Sequence, residues 1–403
     1  MSSKNVLISG AGIGGLTLAY FLHQNGYRPV IVEKAASLRD GGYMIDFFSS
    51  GISVAEKMGI IDQLKAKDHS SNIMIQQNEK GVKDFILNMA GFRASVKGKL
   101  FNFLRTDLAD VLYEKIKDVV EIRFSTSIES IAQNDKEVKV RFSDNRQETF
   151  AMLVGADGLN SNVRSQLYPT EKVEKLFLGY YVCALEHNVP IHVNKGEVIS
   201  MLCPRRQILT YDTGNGVSNS LFVFKSEQRK HLTTSEEVAV LKSEFADFAA
   251  PVPEIIAEAA KKEKLFFDEV TQVRIHDKWY KDRVVLIGDA AYCITLLSGQ
   301  GSSMAMTAAY VLSEQLKKHG ADVTRAFEGY ERELRPMIET MQKKAVKNAA
   351  TYVPTTKFNL WIRNLVAPII FKKIFSPLLI KQLGANNYFE RKPGVEVALS
   401  AAR

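Results

Sequence analysis

Six residues near the start of the chain, Gly10 to Gly15 (GAGIGG), constrain its fold more than any other feature. They follow an apolar strand pattern and open a helical pattern, after which a second apolar strand ends at Glu33. In such a β-α-β unit the glycines allow a tight turn, close approach of a pyrophosphate to backbone N–H groups, and close packing of helix on strand. Glu33 is then placed to accept hydrogen bonds from ribose hydroxyls. The residues predicted to contact a dinucleotide here are Gly10, Gly12, Ile13, Gly14, Gly15, Glu33 and Lys34.

The chain of 403 residues is too long for one ordinary hydrophobic core, and its pattern of apolar and polar residues changes along the sequence. Residues 172–275 read as alternating strands with one helical region, whereas buried-strand and long-helix patterns lie on either side. We therefore predict an α/β fold with a Rossmann-type domain built from residues 1–171 and 276–350, including inserted strands at 72–104. Residues 172–275 would form a mostly β substrate domain, and residues 351–403 a C-terminal helical cap.

Two later segments indicate which dinucleotide is bound. Residues 153–164 (LVGADGLNSNVR) resemble the G-A-D-G-x-x-S-x-V-R segment of class A flavin-dependent monooxygenases, the aromatic hydroxylase family. Residues 283–301 (RVVLIGDAAYCITLLSGQG) are similar to the second FAD segment of that family. Together with the glycine-rich turn they occur in the family's order, over nearly the whole chain. The resemblance implies that FAD is the cofactor.

Several residues of these segments are candidates for binding FAD. Asp289, at the carboxyl end of a strand, would hold a ribitol or ribose hydroxyl, and it can also cap the helix that follows. The backbone N–H groups of residues 299–302, at a helix start, can face the pyrimidine edge of the flavin and stabilise its reduced anion. Asp157 lies near FAD if the resemblance holds, or forms a structural pair or cap with Arg164 nearby. The candidates are Asp157, Gly158, Asp289, Gly299, Gln300, Gly301 and Ser302.

Two shorter elements also match the family. Residues 39–46 (RDGGYMID) are similar to an R-x-G-G-x-x-x-D element that lies over the flavin in tetracycline-inactivating members. The resemblance places Arg39 at a phosphate or the flavin, and Asp46 at a flavin edge. Arg105, in LRTDLADVL, resembles a family arginine that reaches the cofactor, although an arginine at a helix start is usually just exposed.

The resemblance further implies a reaction cycle. NADPH or NADH would bind transiently, since the chain contains a single G-x-G-x-x-G, and would reduce FAD. Reduced flavin and O2 would form a C4a-hydroperoxide that delivers one oxygen atom to an aromatic or polyketide-like substrate. Because the flavin carries this chemistry, we predict no catalytic side chain. No metal-ligand spacing stands out among the seven histidines and three cysteines, so we predict no metal.

One segment departs from the family pattern. Relatives commonly carry a proline after Gly-Asp-Ala-Ala, beside the reactive face of the flavin, whereas residues 292–298 (YCITLLS) contain none, and Tyr292 replaces a frequent histidine. The change frees a backbone N–H and loosens the chain there. Either the pocket is reshaped and still works, which we favour, or hydroxylation is poor.

The substrate is expected between the inserted sheet and the flavin. The sheet sequence mixes aromatic residues with Arg205, Arg206 and Gln207, which suits a flat, oxygen-rich polycycle, although core packing explains the aromatic residues equally well. The segments GGYMIDF, FFDEVTQVRI and GDAAYC…LSGQG are most similar to tetracycline-inactivating flavin monooxygenases, which makes tetracycline a candidate substrate. Arg206, Gln207 and Leu296 are the candidate substrate-binding residues.

Composition excludes several other classes. No apolar run of about eighteen residues exists, so we expect no transmembrane segment, and no leader layout opens the chain. Three cysteines without a CxxC pair fit a reducing cytoplasm. The net charge of +8 is spread along the chain and indicates a solvated surface, or else a field that attracts dinucleotide phosphates or an anionic membrane. No nucleic-acid module is visible, and we expect a monomer.

The C-terminal region leaves two interpretations open. Residues 358–383 are apolar, aromatic and basic, which is typical of a membrane-surface helix, but Pro368 and Pro377 interrupt the run and favour helices packed across the two domains. Two alternative functions therefore remain: a peripheral-membrane flavoenzyme that reduces or epoxidises isoprenoid lipids, and a catalytically weak FAD protein that sequesters a ligand.

Overall fold

Short apolar runs build the first large sheet of the computed structural model, which describes residues 4–39, 41–96, 99–214, 216–228, 232–370 and 388–389. The central strands of this sheet are buried on both faces, so their sequences are continuously hydrophobic rather than alternating. Neighbouring strands are parallel except for β17 and β18. In spatial order the strands are β17 (Tyr280–Lys281), β18 (Val284–Leu286), β11 (Met152–Gly155), β1 (Asn5–Ser9), β2 (Arg28–Val32) and β7 (Glu121–Arg123).

The strand order reverses at β1. From β1 the chain crosses to β2 on one side, whereas β11 and β18 pair on the other side. In open α/β sheets a crevice forms outside the carboxyl ends of the strands at such a point, and ligands bind there. The glycine-rich turn directly follows β1 and therefore lies at this crevice.

The second large sheet has seven strands, and all neighbours are antiparallel except β4 and β13. Residues 172–275 supply five of the strands, and two more come from within residues 72–104. In spatial order they are β16 (Phe266–Ile275), β12 (Val173–His187), β15 (Val217–Lys225), β14 (Arg206–Gly214), β13 (Glu197–Cys203), β4 (Ile73–Gln77) and β5 (Lys83–Asn88).

Alternate residues of this seven-stranded sheet face two different layers. One face, called here the inner face, carries Val182 and Val223 and packs against Tyr43 and Leu296 of the Rossmann-type domain. The other, called the outer face, carries Phe222 and Phe224 and is covered by two helices. Because both faces are buried, both rows of side chains are largely apolar.

The remaining elements complete the two layers. Two small antiparallel sheets pair β3 (Met44–Phe48) with β6 (Leu100–Leu104), and β9 (Val138–Phe142) with both β8 (Ile128–Gln133) and β10 (Gln147–Phe150). The helices are α1 (Ile13–Gln24), α2 (Ser50–Met58), α3 (Ile61–Ala66), α4 (Ala90–Ser95), α5 (Arg105–Ile116), α6 (Asn162–Leu167), α7 (Thr234–Glu244), α8 (Val252–Ala259), α9 (Asp289–Tyr292), α10 (Gly301–His319), α11 (Val323–Tyr352) and α12 (Lys357–Ile370).

The structure confirms the predicted α/β class and refines several elements. The single helical region expected within 172–275 is two helices, because prolines 251 and 253 start a new helix rather than extend the first. The strand β3 and helix α2 were not among the predicted elements, and β3 pairs only with the distant β6. Of the C-terminal cap predicted for 351–403, residues 371–387 and 390–403 lie outside the described residues. Within the described ranges, no helix has the length and apolar character needed to cross a bilayer.

One buried histidine lies on the outer face of the seven-stranded sheet. His187, at the end of β12, is 3% exposed, and its Nε2 lies 2.9 Å from the Ser220 hydroxyl. Burial lowers the pKa of His187 from 6.5 to about 4, because the imidazolium would lose its hydration. The folded state therefore holds this side chain neutral.

This shift predicts a loss of stability in mild acid. The unfolded chain takes up the His187 proton near pH 6.5 and the folded chain only near pH 4, so stability is full above this window and falls as the pH drops through it. Between pH 7.5 and pH 5 the free energy of unfolding falls by about 2 kcal/mol, because each pH unit inside this window costs roughly 1.36 kcal/mol. Urea unfolding at the two pH values should show that the His187→Gln variant loses about 2 kcal/mol less than the wild type, whereas the exposed His192→Gln variant loses as much. An equal loss in His187→Gln would contradict the assignment.

Candidate functional site

The glycine-rich turn between β1 and α1 has one crowded side and one open side. Gly10 has φ +108°, and a Cβ atom there would lie 2.6 Å from the carbonyl oxygen of Ala156. A Cβ atom on Gly15 would lie 2.0 Å from the carbonyl oxygen of Gly10. A Cβ atom on Gly12 would meet nothing within 4 Å. The first and last glycines are therefore required by the fold, while Gly12 borders open space of the kind a pyrophosphate needs.

Glu33 lies beside this turn, directly after β2. Its carboxylate accepts hydrogen bonds from the backbone N–H of Ala11 (3.0 Å) and of Ala35 (3.0 Å), one to each oxygen. These two bonds fix the carboxylate next to the turn and leave lone pairs for ribose hydroxyls. Lys34, the next residue, is exposed. The geometry fits the predicted role of Glu33.

The second strand-to-helix junction follows β18. Gly288 has φ +59°, and α9 begins at Asp289. The Asp289 side chain is exposed to solvent, yet burial by the surrounding protein raises its pKa, while Arg105 opposes that rise. A group that is both water-accessible and enclosed lies on the wall of a crevice. A ligand hydroxyl in that crevice is a suitable partner for the carboxylate.

Helix α10 joins the two junctions. Ala305, in its first two turns, would lie 3.6 Å from a Cβ atom at either Gly14 or Gly288. The start of α10 is preceded by Gly299, whose φ is +64°, and Cβ atoms on Gly299 and Gly301 would meet nothing within 4 Å. Residues 299–302 therefore open towards free space at a helix start, with Gln300 buried and Ser302 half-buried beside them. The predicted residues of both junctions thus converge on one crevice.

Asp157 and Gly158 follow β11, but the Asp157 carboxylate is already engaged. It accepts hydrogen bonds from the backbone N–H groups of Asn162 (2.8 Å) and Val163 (3.0 Å) at the start of α6. Arg164, on α6, donates to the carbonyl oxygens of Ala290 (2.9 Å) and Leu159 (2.6 Å). Asp157 thus caps the first turn of α6, which is one of the two roles considered for it from the sequence. Arg164 ties α6 to α9, the helix that carries Asp289.

The segment containing residues 39–48 crosses the mouth of the crevice. The Asn219 amide donates to the carbonyl oxygen of Gly42 (2.9 Å), and the Tyr211 hydroxyl accepts from the backbone N–H of Met44 (2.5 Å), so the seven-stranded sheet holds this segment in place. Arg39 is exposed. Asp46 is exposed as well, and burial raises its pKa, as it does for Asp289.

Arg105 lies beneath this segment at the start of α5. Its backbone N–H donates to the carbonyl oxygen of Tyr43 (3.1 Å), and burial lowers the pKa of its guanidinium although arginine remains charged. The nearest charged and titratable groups are Tyr43, Arg39 and Asp289. Arg105 therefore provides a cation inside the crevice rather than on the outer surface.

Comparison with known proteins agrees with this arrangement. The FAD binding domain family matches residues 3–345. A flavin-dependent monooxygenase of Legionella longbeachae is 31% identical over 361 residues, which are 85% of this chain and 89% of that protein. This chain belongs to the FAD-binding flavin-dependent monooxygenases.

Solved structures show the same fold. The tetracycline destructase Tet(55) superposes with a TM-score of 0.80 at 26% identity, covering 93% of this chain and 98% of that one. Klebsiella pneumoniae HpxO, solved with FAD and uric acid, has a TM-score of 0.80 at 19% identity, covering 95% and 97%. The predictions of the family, of FAD as cofactor and of an oxidoreductase are confirmed.

The three candidate substrate-binding residues of this monooxygenase do not all lie on the same face of the seven-stranded sheet. Gln207 pairs with Val223, so it lies on the inner face, where its amide donates to the Ser200 hydroxyl (2.9 Å). Leu296 packs against the same face. Arg206 lies on the outer face, bound to both carboxylate oxygens of Asp247 (2.6 and 3.0 Å), so its position does not support a role in substrate binding.

Other residues at the crevice were missed by the sequence analysis. Tyr43 lies 5.4 Å from Phe266 between ring centroids, and burial raises the pKa of Tyr43 to about 12. Asp268 pairs with Val182 and therefore shares the inner face, where burial raises its pKa. The alternation Phe266, Asp268, Val270 along β16 was the available signal. No sequence signal marked Asn102, which donates to Asp46, because its position next to Asp46 depends on the pairing of β3 with β6.

The open side of the turn predicts the effect of substituting Gly12. In Gly12→Val the new side chain would enter the space assigned to the pyrophosphate, and its Cβ atom would meet no protein atom within 4 Å, so FAD is lost while the fold is kept. The ratio of flavin to protein absorbance should fall to near zero, and urea unfolding of the apoprotein should change little. Gly15→Ala is the matched contrast, because its Cβ atom would collide with the backbone of Gly10 and destabilise the apoprotein itself. Stoichiometric FAD in purified Gly12→Val would refute this placement.

Proposed function

We propose that this monooxygenase uses NADPH or NADH and O2 to insert one oxygen atom into an aromatic or polyketide-like small molecule, with tetracyclines as first candidates. The observation that carries the proposal is the crevice between the carboxyl edge of the six-stranded sheet and the inner face of the seven-stranded one. Its wall combines the Tyr43 and Phe266 rings and Leu296 with the carboxylates of Asp268 and Asp289. Flat apolar surface with a few polar groups is suited to an oxygen-rich polycycle. The likeness to a tetracycline destructase supports that choice.

The side chains of the crevice would position FAD and protect it from water. Bound FAD supplies the redox chemistry, accepting a hydride and transferring oxygen from O2. Glu33 and Asp289 would hold hydroxyls at the two junctions, and the positive end of the α10 helix dipole would favour negative charge on the flavin ring. Arg105 adds a cation on the same side. The apolar inner face would exclude water around the reacting atoms.

The segment that lacks the family proline still forms an ordered turn. Thr295, with φ +149°, accepts at its hydroxyl from the backbone N–H of Leu297 (3.4 Å), and its carbonyl oxygen accepts from the Ser298 hydroxyl (2.8 Å). Tyr292 is buried, with its ring centroid 4.6 Å from that of Trp279. Side-chain bonds thus replace the constraint of a proline ring, which supports a reshaped but working pocket over a protein that only sequesters a ligand.

The proposed reaction predicts a specific product balance. With a tetracycline or a phenol from a small panel, the purified holoenzyme should consume NADPH or NADH and O2 together, and mass spectrometry should find product with one added oxygen atom. Labelled O2 should supply that atom. NADPH oxidation that yields only hydrogen peroxide with every compound would instead favour the ligand-sequestering alternative.

Adjacent phenylalanines on β16 test where the substrate binds. Phe266 contacts Tyr43 on the inner face, whereas Phe267 packs against Tyr181 and Phe224 on the outer face. Phe266→Ala should raise the KM for the substrate about tenfold, the effect of roughly 1.4 kcal/mol of lost contact, and should keep its FAD. Phe267→Ala should lower the urea midpoint and leave KM within about twofold. If both variants change KM equally, the inner face is not the substrate wall.

A further inference from the structure

Helix α12 turns its apolar side towards solvent. Phe358 is 66% exposed and Trp361 is 61% exposed, and their rings stack with centroids 6.2 Å apart. The spacing of the exposed apolar residues is helical, so they form one continuous stripe. This stripe, called here the apolar face of α12, consists of Phe358, Trp361, Ile362, Leu365, Val366 and Ile369.

Polar contacts fix the helix in this orientation. Arg363 donates to the side-chain oxygen of Gln76 (3.3 Å), and the Asn364 amide donates to the carboxylate of Asp84 (3.1 Å). Both bonds reach β4 and β5, the last two strands at one end of the seven-stranded sheet. The protein-facing side of α12 thus carries Arg363 and Asn364 together with Leu360 and Ile370, which pack against the core, whereas six further apolar side chains face solvent. Ile86, two residues beyond Asp84 on β5, is also exposed and adds to the apolar surface.

The net positive charge of the sequence falls in one stretch that includes α12. Residues 340–389 contain no aspartate or glutamate, so their eight basic residues account for the whole net charge of +8. Elsewhere acidic and basic residues balance. Lys343 and Lys347 are exposed on α11, and Lys357 is exposed at the first residue of α12. The basic residues of this stretch are Lys343, Lys344, Lys347, Lys357, Arg363, Lys372, Lys373 and Lys381.

We propose that the apolar face of α12 binds the surface of an anionic lipid bilayer. A helix of 14 residues is about 21 Å long and cannot span a bilayer, but it can lie in the interface with its apolar side inserted. Tryptophan and phenylalanine favour that depth, and the basic residues of this stretch, such as Lys357 on α12 itself, are attracted to anionic headgroups. A second copy of the chain is a poorer partner, because it would bring two positively charged surfaces together. The inference does not depend on the substrate proposed above.

Trp361 allows a direct test on the full-length holoenzyme. The chain has two tryptophans, and Trp279 is 2% exposed. With vesicles of phosphatidylcholine and phosphatidylglycerol in equal parts at low salt, the protein should float with lipid, its tryptophan emission should shift to shorter wavelength, and brominated lipids should quench it. Vesicles of phosphatidylcholine alone, or high salt, should weaken binding about tenfold or more.

Variants identify the surface. Trp361→Ser/Leu365→Ser should reduce vesicle binding about tenfold or more while FAD content is unchanged, because both side chains are exposed. Val119→Ser, which removes an exposed apolar side chain elsewhere, should bind like the wild type. Absence of flotation on anionic vesicles, or equal binding by the double variant, would overturn the proposal. So would a dimer in solution that the double variant dissociates, since a second copy would then cover the face.

Discussion

Parallel pairing of β2, β1, β11 and β18 brings four strand ends to one edge of the six-stranded sheet. The glycine-rich turn, Glu33, the Asp157 segment and Asp289 each follow one of these strands directly. The register of the sheet brings these residues together, and side-chain bonds such as those of Glu33 to Ala11 and of Arg164 to Ala290 then fix them. Helix α10 then packs over two of the junctions at Gly14 and Gly288, where an added Cβ atom would already be in van der Waals contact with Ala305. The cofactor crevice is thus a property of the backbone, with side chains added at its rim.

The seven-stranded sheet has a different task on each of its faces. Its outer face is a conventional core in which aromatic rings interlock with α7 and α8, as in the contact of Phe222 with Phe245 at 5.0 Å. Its inner face carries fewer rings and several polar groups, and it holds residues 42–44 over the crevice through Asn219 and Tyr211. A sheet anchored on one side by close packing can present a varied surface on the other without losing its shape. Under the proposed function, residues on the inner face could therefore vary without disturbing the packing of the outer one.

The sequence analysis anticipated the parts of the crevice that depend on local backbone geometry. The turn at Gly10, the acid at Glu33 and the junction at Asp289 each need a particular residue type within a short stretch, so the sequence shows them directly. It did not reveal that Arg206 lies on the outer face, because strand residues alternate sides and a sheet buried on both faces gives no pattern that tells inner from outer. Asn102 and Tyr43 were missed for another reason: their positions follow from pairing or packing between distant segments.

The order of strands in the six-stranded sheet also bears on how the protein is made. A ribosome delivers β1, β2 and β11 early, but β18 begins at residue 284, after the whole inserted sheet has emerged. Until then the backbone groups along the edge of β11 have no partner, and an apolar edge of this kind is prone to pair with other chains. During synthesis the edge of β11 therefore stays exposed, and able to pair with other chains, until β18 has been made. Contacts between residues so far apart in sequence also make closure slow, which lengthens that exposure.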